Sequence, residues 1–260
     1  MMLKFFISTN RSLWGKLLRL PLKLIPRNAT VRILGGPIKG LKWVVGSFNH
    51  GCWIGTYEAQ KVQTYVTYLG KLPAHSVIYD CGSHVGYYSL ISATHNSTFR
   101  VHCFEPLEKN IAYLQEHIRL NTISNIEVHP WATGKSNATV YFQSGESSST
   151  GKISSQGKIP TQQVSLDSCI ESKLFPPPNL IKMDIEGAEY ETLLGAKSLI
   201  QCYKPIIFLA THGTSVHQQC LQLLEELGYR ITSIDAKDPA LSDELLCVPS
   251  LAHGTLKKTG

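Results

Sequence analysis

Apolar runs and amphipathic segments alternate along the chain from Leu72 onward. Two helices are predicted at GYYSLISATH and LEKNIAYLQEHIRLN, the second because Ile111, Leu114 and Ile118 recur at helical intervals. Three runs rich in β-branched and aromatic residues predict buried strands around these helices. They are SVIYDCG (Ser76 to Gly82), FRVHCFEP (Phe99 to Pro106) and NIEVHPWA (Asn125 to Ala132).

The second half of the chain repeats this alternation after a stretch rich in Ser and Gly. A strand in NLIKMDIEG, a helix to Ile200, a strand in KPIIFLATH and a helix in QQCLQLLEELGY follow one another. RITSID and a short segment near Leu246 to Val248 predict two last strands. Alternating strands and helices form right-handed crossovers, so we predict an α/β fold with a mostly parallel sheet covered by helices on both faces.

The stretch IYDCGSHVGYYS forms the first strand-to-helix junction of this sheet. Asp80 ends the strand, Gly82 allows a sharp turn, and Gly86 allows the start of the helix to approach a ligand or the strand closely. In sheets of this kind, ligands bind beyond the carboxyl ends of the strands. The junction is therefore the predicted cofactor site.

Two classes of cofactor use this position. A dinucleotide site requires G-x-G-x-x-G, but His84 stands where the middle glycine would be. S-adenosylmethionine requires a close turn, an acid at the end of the first strand and a second acid at the end of the next strand for the ribose hydroxyls. Glu105 is placed for that second role, so S-adenosylmethionine is the favoured cofactor.

Composition favours one large folded domain: 260 residues, 43% hydrophobic and 17% charged. The seven cysteines include no C-x-x-C pair and have no regular spacing. This pattern fits neither a disulfide framework nor a zinc site, and it predicts a reduced protein in the cytoplasm.

The net charge of +6 comes from the N-terminus. Nine Lys and Arg residues precede the first acid, Glu58, and the rest of the chain holds 16 Lys and Arg against 19 Asp and Glu. Around Ser12 to Leu20 the basic residues alternate with an apolar face at helical spacing. Residues 1–30 are therefore predicted either to contact an anionic membrane surface, at the inner membrane face, or to pack on the domain as an amphipathic helix. Charge confined to one end, with no stacking platform, argues against a nucleic-acid partner.

Three motifs resemble the FkbM family of S-adenosylmethionine-dependent methyltransferases: IYDCGSHVGYYS, HCFEPLEKNIAYLQEHIRLN and above all LIKMDIEGAEYETLLGA. The resemblance extends over about Gly55 to Ala236. It implies a Rossmann-like class I methyltransferase fold, a mostly parallel seven-stranded sheet with a reversed last strand. The chain would then divide into a basic amphipathic N-terminal extension, residues 1–47, and a methyltransferase domain, residues 48–260, with its core at 72–250.

The resemblance also predicts which residues would bind the cofactor, at the ends of the first four strands. They are Asp80, Gly82, Ser83, His84, Gly86, Tyr88, Glu105, Pro106, Trp131, Ala132 and Asp184. The chain departs from the family at Ser83 and His84, where relatives usually have Ala-Asn. This departure leaves the contact at position 84 open.

The segment DIEGAE and the end of the fifth strand supply the candidate catalytic residues, Asp184, Glu186, Glu189 and His212. Glu186 and Glu189 are predicted to share a face of the first turn of the next helix. His212 is a candidate general base because an imidazole with a near-neutral pKa can accept the proton of a hydroxyl acceptor. The same four residues could hold a divalent metal, and spacing does not decide between the two arrangements. A metal is therefore left unassigned.

The resemblance implies an O-methyltransferase that acts on a hydroxyl of a sugar, a glycan or a natural product. Phe48 to Glu58 and the polar loop Gln143 to Lys158 are the segments expected to select this small-molecule or glycan acceptor. Trp53 and Tyr57 would suit stacking on a sugar ring, although buried packing is their commoner role. Two alternatives remain: a non-catalytic cofactor-binding or membrane-associated interaction protein, and a nicotinamide-dependent oxidoreductase.

Overall fold

The computed structural model of the chain describes residues 24–143, 152, 153, 157–235 and 238–250. The predicted amphipathic helix around Ser12 to Leu20 lies outside these residues, as does most of the polar loop predicted at Gln143 to Lys158. The proposed membrane contact of residues 1–30 therefore stays a prediction. In the described part of the chain, no helix has the length and apolar content needed to cross a bilayer.

The first half of the described chain contains a short hairpin, four α-helices and three strands of the main sheet. Its elements are β1 (Thr30–Arg32), β2 (Lys42–Val44), α1 (His50–Ile54), α2 (Ala59–Leu69), β3 (Val77–Cys81), α3 (Tyr87–His95), β4 (Arg100–Phe104), α4 (Glu108–Leu120) and β5 (Ile126–His129). Each predicted strand and helix of this half is confirmed within a few residues.

The second half adds a small sheet and completes the main one. Its elements are β6 (Ala132–Thr133), β7 (Ala138–Gln143), β8 (Lys152–Ile153), β9 (Ile159–Val164), α5 (Leu166–Glu171), β10 (Leu180–Met183), α6 (Glu189–Leu194), α7 (Lys197–Tyr203), β11 (Ile206–Ala210), α8 (Thr214–Glu226), β12 (Tyr229–Ser233) and β13 (Glu244–Pro249).

The main sheet has seven strands in the order β12-β13-β11-β10-β3-β4-β5. From β11 to β5 all neighbours are parallel, whereas β13 lies antiparallel to both β11 and β12. The predicted fold, a Rossmann-like methyltransferase sheet with a reversed last strand, is confirmed. The four strands at its centre end side by side, which places the turns that follow them around one crevice.

Alternation along the strands divides the core into two layers. Ile78 packs with α2, α3 and α4 on one face of the sheet, and Tyr79 packs with α5, α7 and α8 on the other. Since side chains alternate across a strand, the even positions of β3 and β10 share the α2 face. This alternation determines which face of the sheet the charged residues at the ends of these strands lie on.

A fully buried histidine ties the hairpin β1–β2 to α4. The Nδ1–H of His117 donates to the Val85 carbonyl at 2.9 Å, and its Nε2 accepts from the Val44 N–H at 3.1 Å. Its ring stacks on Trp43 with the centroids 3.9 Å apart. Burial lowers the pKa of His117 to about 4, so the imidazole is neutral at physiological pH.

The segment between β5 and α5 contributes a second sheet that the sequence pattern does not reveal. The strands lie in the order β6-β9-β7-β8, and β7 pairs with β9 over five residues. Thr139, Gln143 and Gln162 are exposed polar positions of these strands, while Phe142 is buried and lines the crevice.

We expect His117→Ala to lower the free energy of unfolding by about 2–4 kcal/mol, because two buried backbone groups lose their partner. Urea unfolding measures this, and Gln115→Ala, an exposed change on the same helix, is the control. The folded-state pKa lies below the unfolded value of about 6.5, so the contribution of His117 is present above pH 6.5 and is lost as the pH falls through about 4. A difference between wild type and variant that is constant over this range would contradict a neutral His117.

Candidate active site

A cavity of about 340 Å³ lies at the carboxyl ends of β3, β4, β10 and β11. Its volume is within the range of small-molecule sites. The turn after β3 and the turn after β10 form its floor, and Phe48, Tyr57 and Phe142 contribute aromatic walls. The cavity is the crevice expected for a sheet of this topology.

Both glycines of the first turn are required by contacts within the protein. Gly82 and Gly86 have φ values of 76° and 88°, which favour glycine. A Cβ at Gly82 would collide with the carbonyl oxygen of Asp184, and one at Gly86 would collide with the Leu114 side chain. Gly82 lines the cavity, but Gly86 does not, so the close neighbour of Gly86 is α4 and not a ligand.

Glu105 is held rigidly at the end of β4. Its Oε2 accepts from the His84 N–H at 2.8 Å, and its Oε1 accepts from the Leu107 N–H at 2.9 Å and from Asn110 Nδ2 at 3.2 Å. The carboxylate lines the cavity, and Oε2 retains capacity for a further donor. Burial raises the pKa of Glu105 in spite of these hydrogen bonds.

The same wall carries further predicted cofactor residues. Pro106, Trp131 and Ala132 line the cavity, and Trp131 stacks on His129 with the centroids 5.2 Å apart. His84 also lines it, and its buried Nε2 has no hydrogen-bond partner in the described structure. A polar ligand that donates or accepts a hydrogen bond therefore fits this wall.

Asp80 lies beneath the cavity floor and does not line it. The side chain is 1% exposed; Oδ2 accepts from Ser89 Oγ at 2.5 Å, and Oδ1 is 3.5 Å from Lys182 Nζ. The structure therefore places Asp80, a predicted cofactor residue, in contact with a buried lysine and not among the residues that line the cavity.

Lys182 is a buried cation in the middle of β10, with 4% exposure. Its Nζ donates to the Gly82 carbonyl at 3.2 Å and lies 3.7 Å from Asp184 and 5.3 Å from the Tyr88 ring centroid. Burial lowers the pKa of Lys182, but the neighbouring carboxylates, Asp184 first, outweigh burial and raise it. The lysine is therefore charged.

A second buried cation, Lys61, reaches the same carboxylates from α2. Its Nζ lies 2.8 Å from Glu244, 3.5 Å from Glu58 and 3.8 Å from Asp184. Glu58 also accepts from the Tyr88 hydroxyl at 2.6 Å. Burial raises the pKa of Asp184, but Lys182 and Lys61 overcome this and lower it.

His212 is oriented by a buried glutamate. Its Nδ1–H donates to Oε1 of Glu189 at 2.8 Å, while Nε2 lies 3.7 Å from Asp184 and 3.8 Å from Glu186. The hydrogen bond to Glu189 raises the pKa of His212 to about 9, against the opposing effect of burial. The expected near-neutral pKa was therefore wrong: without ligand, the imidazole is protonated at neutral pH.

The turn after β10 also corrects the predicted helix start. Glu186 precedes α6 with φ 56°, and Gly187 follows with φ 104°, so Glu186 and Glu189 do not share a helical turn. Glu189 is fully buried and accepts from the N–H groups of Ile185 and Gly187, which closes the turn. Glu189 thus positions His212 from outside the cavity, while Glu186 lines it.

Of the residues that the structure describes, the four predicted as an alternative metal site do not bring three donor atoms close enough to share one ion. Oε1 of Glu189 accepts from two backbone N–H groups and from His212, while its Oε2 is buried without a hydrogen-bond partner. Among the described residues, the donor atoms close enough to share one ion belong to His102, Glu127 and His129, which are outside the cavity.

Those two histidines are in hydrogen-bond geometry. His102 Nδ1 and His129 Nε2 are 3.1 Å apart, with the ring planes within 12° and the centroids 5.4 Å apart. These two nitrogens are close enough to share a hydrogen bond, and a metal stays unassigned.

The predicted residues gather largely at one cavity. Asp80, Gly86 and Glu189 are the ones that do not line it; Gly82, Ser83, His84, Tyr88, Glu105, Pro106, Trp131, Ala132, Asp184, Glu186 and His212 do. Of the two aromatic residues expected to stack on a sugar, Tyr57 lines the cavity and Trp53 is buried elsewhere.

Sequence reasoning missed Lys61, Lys182, Glu58 and Glu244. The lysine within the apolar run LIKM was the available signal, because a lysine in a buried strand requires carboxylate partners. Nothing in the local pattern marks Glu244 or Lys61, which meet only through the fold.

Residues 80–231 match a family model described as the methyltransferase FkbM domain. A curated relative, the hexuronic acid methyltransferase AglP of Haloferax volcanii, is 28% identical over 171 residues, which are 64% of this chain and 70% of the relative. A solved structure, methyltransferase FkbM from Methylobacillus flagellatus KT, is 21% identical over 77% of this chain, with a TM-score of 0.52. The chain spans 55% of that protein's length, and the likeness shows a shared fold.

We expect Glu189→Gln to lower the pKa of His212 from about 9 towards the ordinary 6.5, because the imidazolium loses its charged acceptor. A titration followed by NMR of the imidazole resonances measures the shift. Glu191→Gln, at an exposed position of the same helix, is the matched control and should leave the titration unchanged. If the pKa of His212 is unchanged in Glu189→Gln, then Asp184 and Glu186, and not Glu189, stabilise the protonated imidazole.

Proposed function

Because the chain belongs to the FkbM methyltransferase family, we propose that it transfers the methyl group of S-adenosylmethionine to a hydroxyl group of a sugar, a glycan or a natural product. The family implies S-adenosylmethionine as the methyl donor. The hexuronic acid relative supports a sugar among these acceptors. The nicotinamide-dependent alternative has no support.

One observation supports the proposal most directly. A single cavity is lined by the fixed carboxylate of Glu105, which can accept hydrogen bonds from ribose hydroxyls, and by the oriented imidazole of His212. The cofactor fits the first wall because Glu105 has a free acceptor position and His84 Nε2 is an unpaired buried polar atom. Glu105 would bind the ribose hydroxyls, and Trp131 would contact the adenine. S-adenosylmethionine would supply an activated methyl group bound to a positive sulfur.

The residues of the second wall would then align the acceptor and remove its proton. In this reaction S-adenosylmethionine would supply the methyl group to the acceptor oxygen, and its sulfur would keep the electron pair of the broken carbon–sulfur bond. The hydroxyl proton would pass to Nε2 of His212, while Glu189 accepts from Nδ1–H and keeps the ring in place. Before it can act as a base, His212 must lose the proton that it holds without ligand. A nearby sulfonium lowers its pKa by charge repulsion and so favours this loss.

We expect Glu105→Ala to weaken S-adenosylmethionine binding by roughly 10- to 150-fold, the equivalent of about 1.5–3 kcal/mol for a charged hydrogen bond. Isothermal titration calorimetry measures the affinity, and Glu108→Ala, an exposed neighbour at the start of α4, is the control. Because Glu105 also holds two backbone N–H groups, the melting temperature of each variant must be recorded. Equal affinity in a folded Glu105→Ala protein would reject the ribose assignment.

We expect His212→Gln to lower the rate of methyl transfer by about 10²–10⁴, the range for the loss of a positioned base, with S-adenosylmethionine affinity within a few fold of wild type. In the wild type, kcat/KM for S-adenosylmethionine should rise with pH up to about 9, because this parameter reports the free enzyme, which must lose the His212 proton. Transfer of a labelled methyl group from S-adenosylmethionine to an accepted saccharide measures the rate of methyl transfer and its pH dependence. A flat pH profile, or a variant with wild-type turnover, would remove His212 from the mechanism.

A further inference from the structure

The cavity has an excess of negative charge. Five carboxylates and two cations line it among the described residues: Glu58, Glu105, Asp184, Glu186 and Glu244 against Lys182 and His212. His212 counts as a cation because of its pKa of about 9. The lining carboxylates outnumber the lining cations, and this remains so when Lys61, which contacts Glu58, Asp184 and Glu244, is included.

Each cation near the acceptor wall is already shared by carboxylates. Lys182 lies within 3.7 Å of both Asp80 and Asp184, and Lys61 lies within 3.8 Å of Glu244, Glu58 and Asp184. The lysines are also 4% and 7% exposed, respectively. An incoming carboxylate or phosphate would therefore have to displace a buried ion pair, which costs several kcal/mol in proteins.

His212 likewise provides no favourable binding site for an anionic ligand. Its Nδ1–H is bonded to the fully buried Glu189, and Nε2 faces Asp184 and Glu186. An anionic group that approached Nε2 would meet both carboxylates at the same time. A hydroxyl group, which is neutral, meets no such repulsion.

Glu186 is the carboxylate best placed to receive a positive group. It lines the cavity, its side chain is 35% exposed, and its ion-pair contact, with His212, is a long 3.8 Å. Its φ of 56° is unfavourable for a residue with a side chain, and this backbone strain is typical of functional positions. Burial and the nearby carboxylates raise its pKa against the effect of His212, so a bound cation would relieve an existing repulsion.

We infer that the acceptor is a saccharide that carries a protonated amine and that the cavity selects against carboxylate-bearing saccharides. This inference rests on the proposed function. The carboxylates of the cavity would attract the ammonium group of an amino sugar and repel the carboxylate of a uronate. Both effects favour the amino sugar over the uronate. The ammonium has no lone pair, so the hydroxyl oxygen attacks the methyl group, and its proton goes to His212.

The experiment uses the full chain saturated with S-adenosylhomocysteine, in EDTA at low salt. Calorimetry with the methyl glycosides of glucosamine, glucose and glucuronic acid compares three ligands that share a ring and differ mainly in charge. We expect the glucosaminide to bind roughly tenfold more tightly than the glucoside, and the glucuronide to bind at least as much more weakly. This preference should shrink as salt is added, because salt screens charge.

A matched pair of variants tests the part played by Glu186. Glu186→Gln should reduce the ratio of glucosaminide to glucoside affinity several-fold, because the ammonium group loses its charged partner. Glu225→Gln removes the same charge at an exposed position on α8 and should leave the ratio unchanged. An unchanged ratio in Glu186→Gln would overturn the assignment of this residue.

The remaining outcomes separate the two proposals. A glucuronide that binds as tightly as the glucosaminide, in EDTA or with added magnesium, overturns the charge inference and leaves a sugar acceptor intact. If S-adenosylhomocysteine binds but none of the three glycosides does, the saccharide acceptor fails together with the inference.

Discussion

The active-site end of the sheet is organised around the buried ammonium group of Lys182. A lysine at 4% exposure is stable only if carboxylates offset its lost hydration. Asp80 is the register neighbour of Lys182 on β3, and Asp184 follows directly after the end of β10; together they supply that compensation. The two strand ends are thereby fixed relative to each other by charge as well as by the sheet.

The need for glycine at position 82, in the turn after β3, follows from the position of Lys182. For Lys182 to reach the Gly82 carbonyl, the turn after β3 must lie against the chain at Asp184, where a side chain on Gly82 would collide with the Asp184 carbonyl. The turn therefore presents its backbone and the residues Ser83 and His84 to the cavity. The contact that requires glycine is within the protein, and the open side of the turn is left for a ligand.

Local pattern was sufficient to predict the strands of the main sheet, most of the helices between them and the clustering of most site residues, because periodicity and strand ends are local properties. It was insufficient wherever the partner comes from a distant element. Glu244 lies on the reversed strand β13 and Lys61 on α2, 183 positions apart in sequence, yet they form a 2.8 Å ion pair. His117 likewise joins α4 to a hairpin more than 70 positions earlier in the chain. The small sheet around β7 was missed because its polar side chains obscured the strand pattern.

The raised pKa of His212 is consistent with a base when the whole cavity is considered. Glu189 and the neighbouring carboxylates hold a proton on the imidazole while the cavity lacks a cationic ligand. A sulfonium and an ammonium would each bring positive charge to these same carboxylates, and the imidazolium would then lose part of its stabilisation. The proton would therefore be released most readily when cofactor and acceptor are both bound. On the proposed function, the excess of carboxylates would both bind positive ligands and determine when His212 loses its proton.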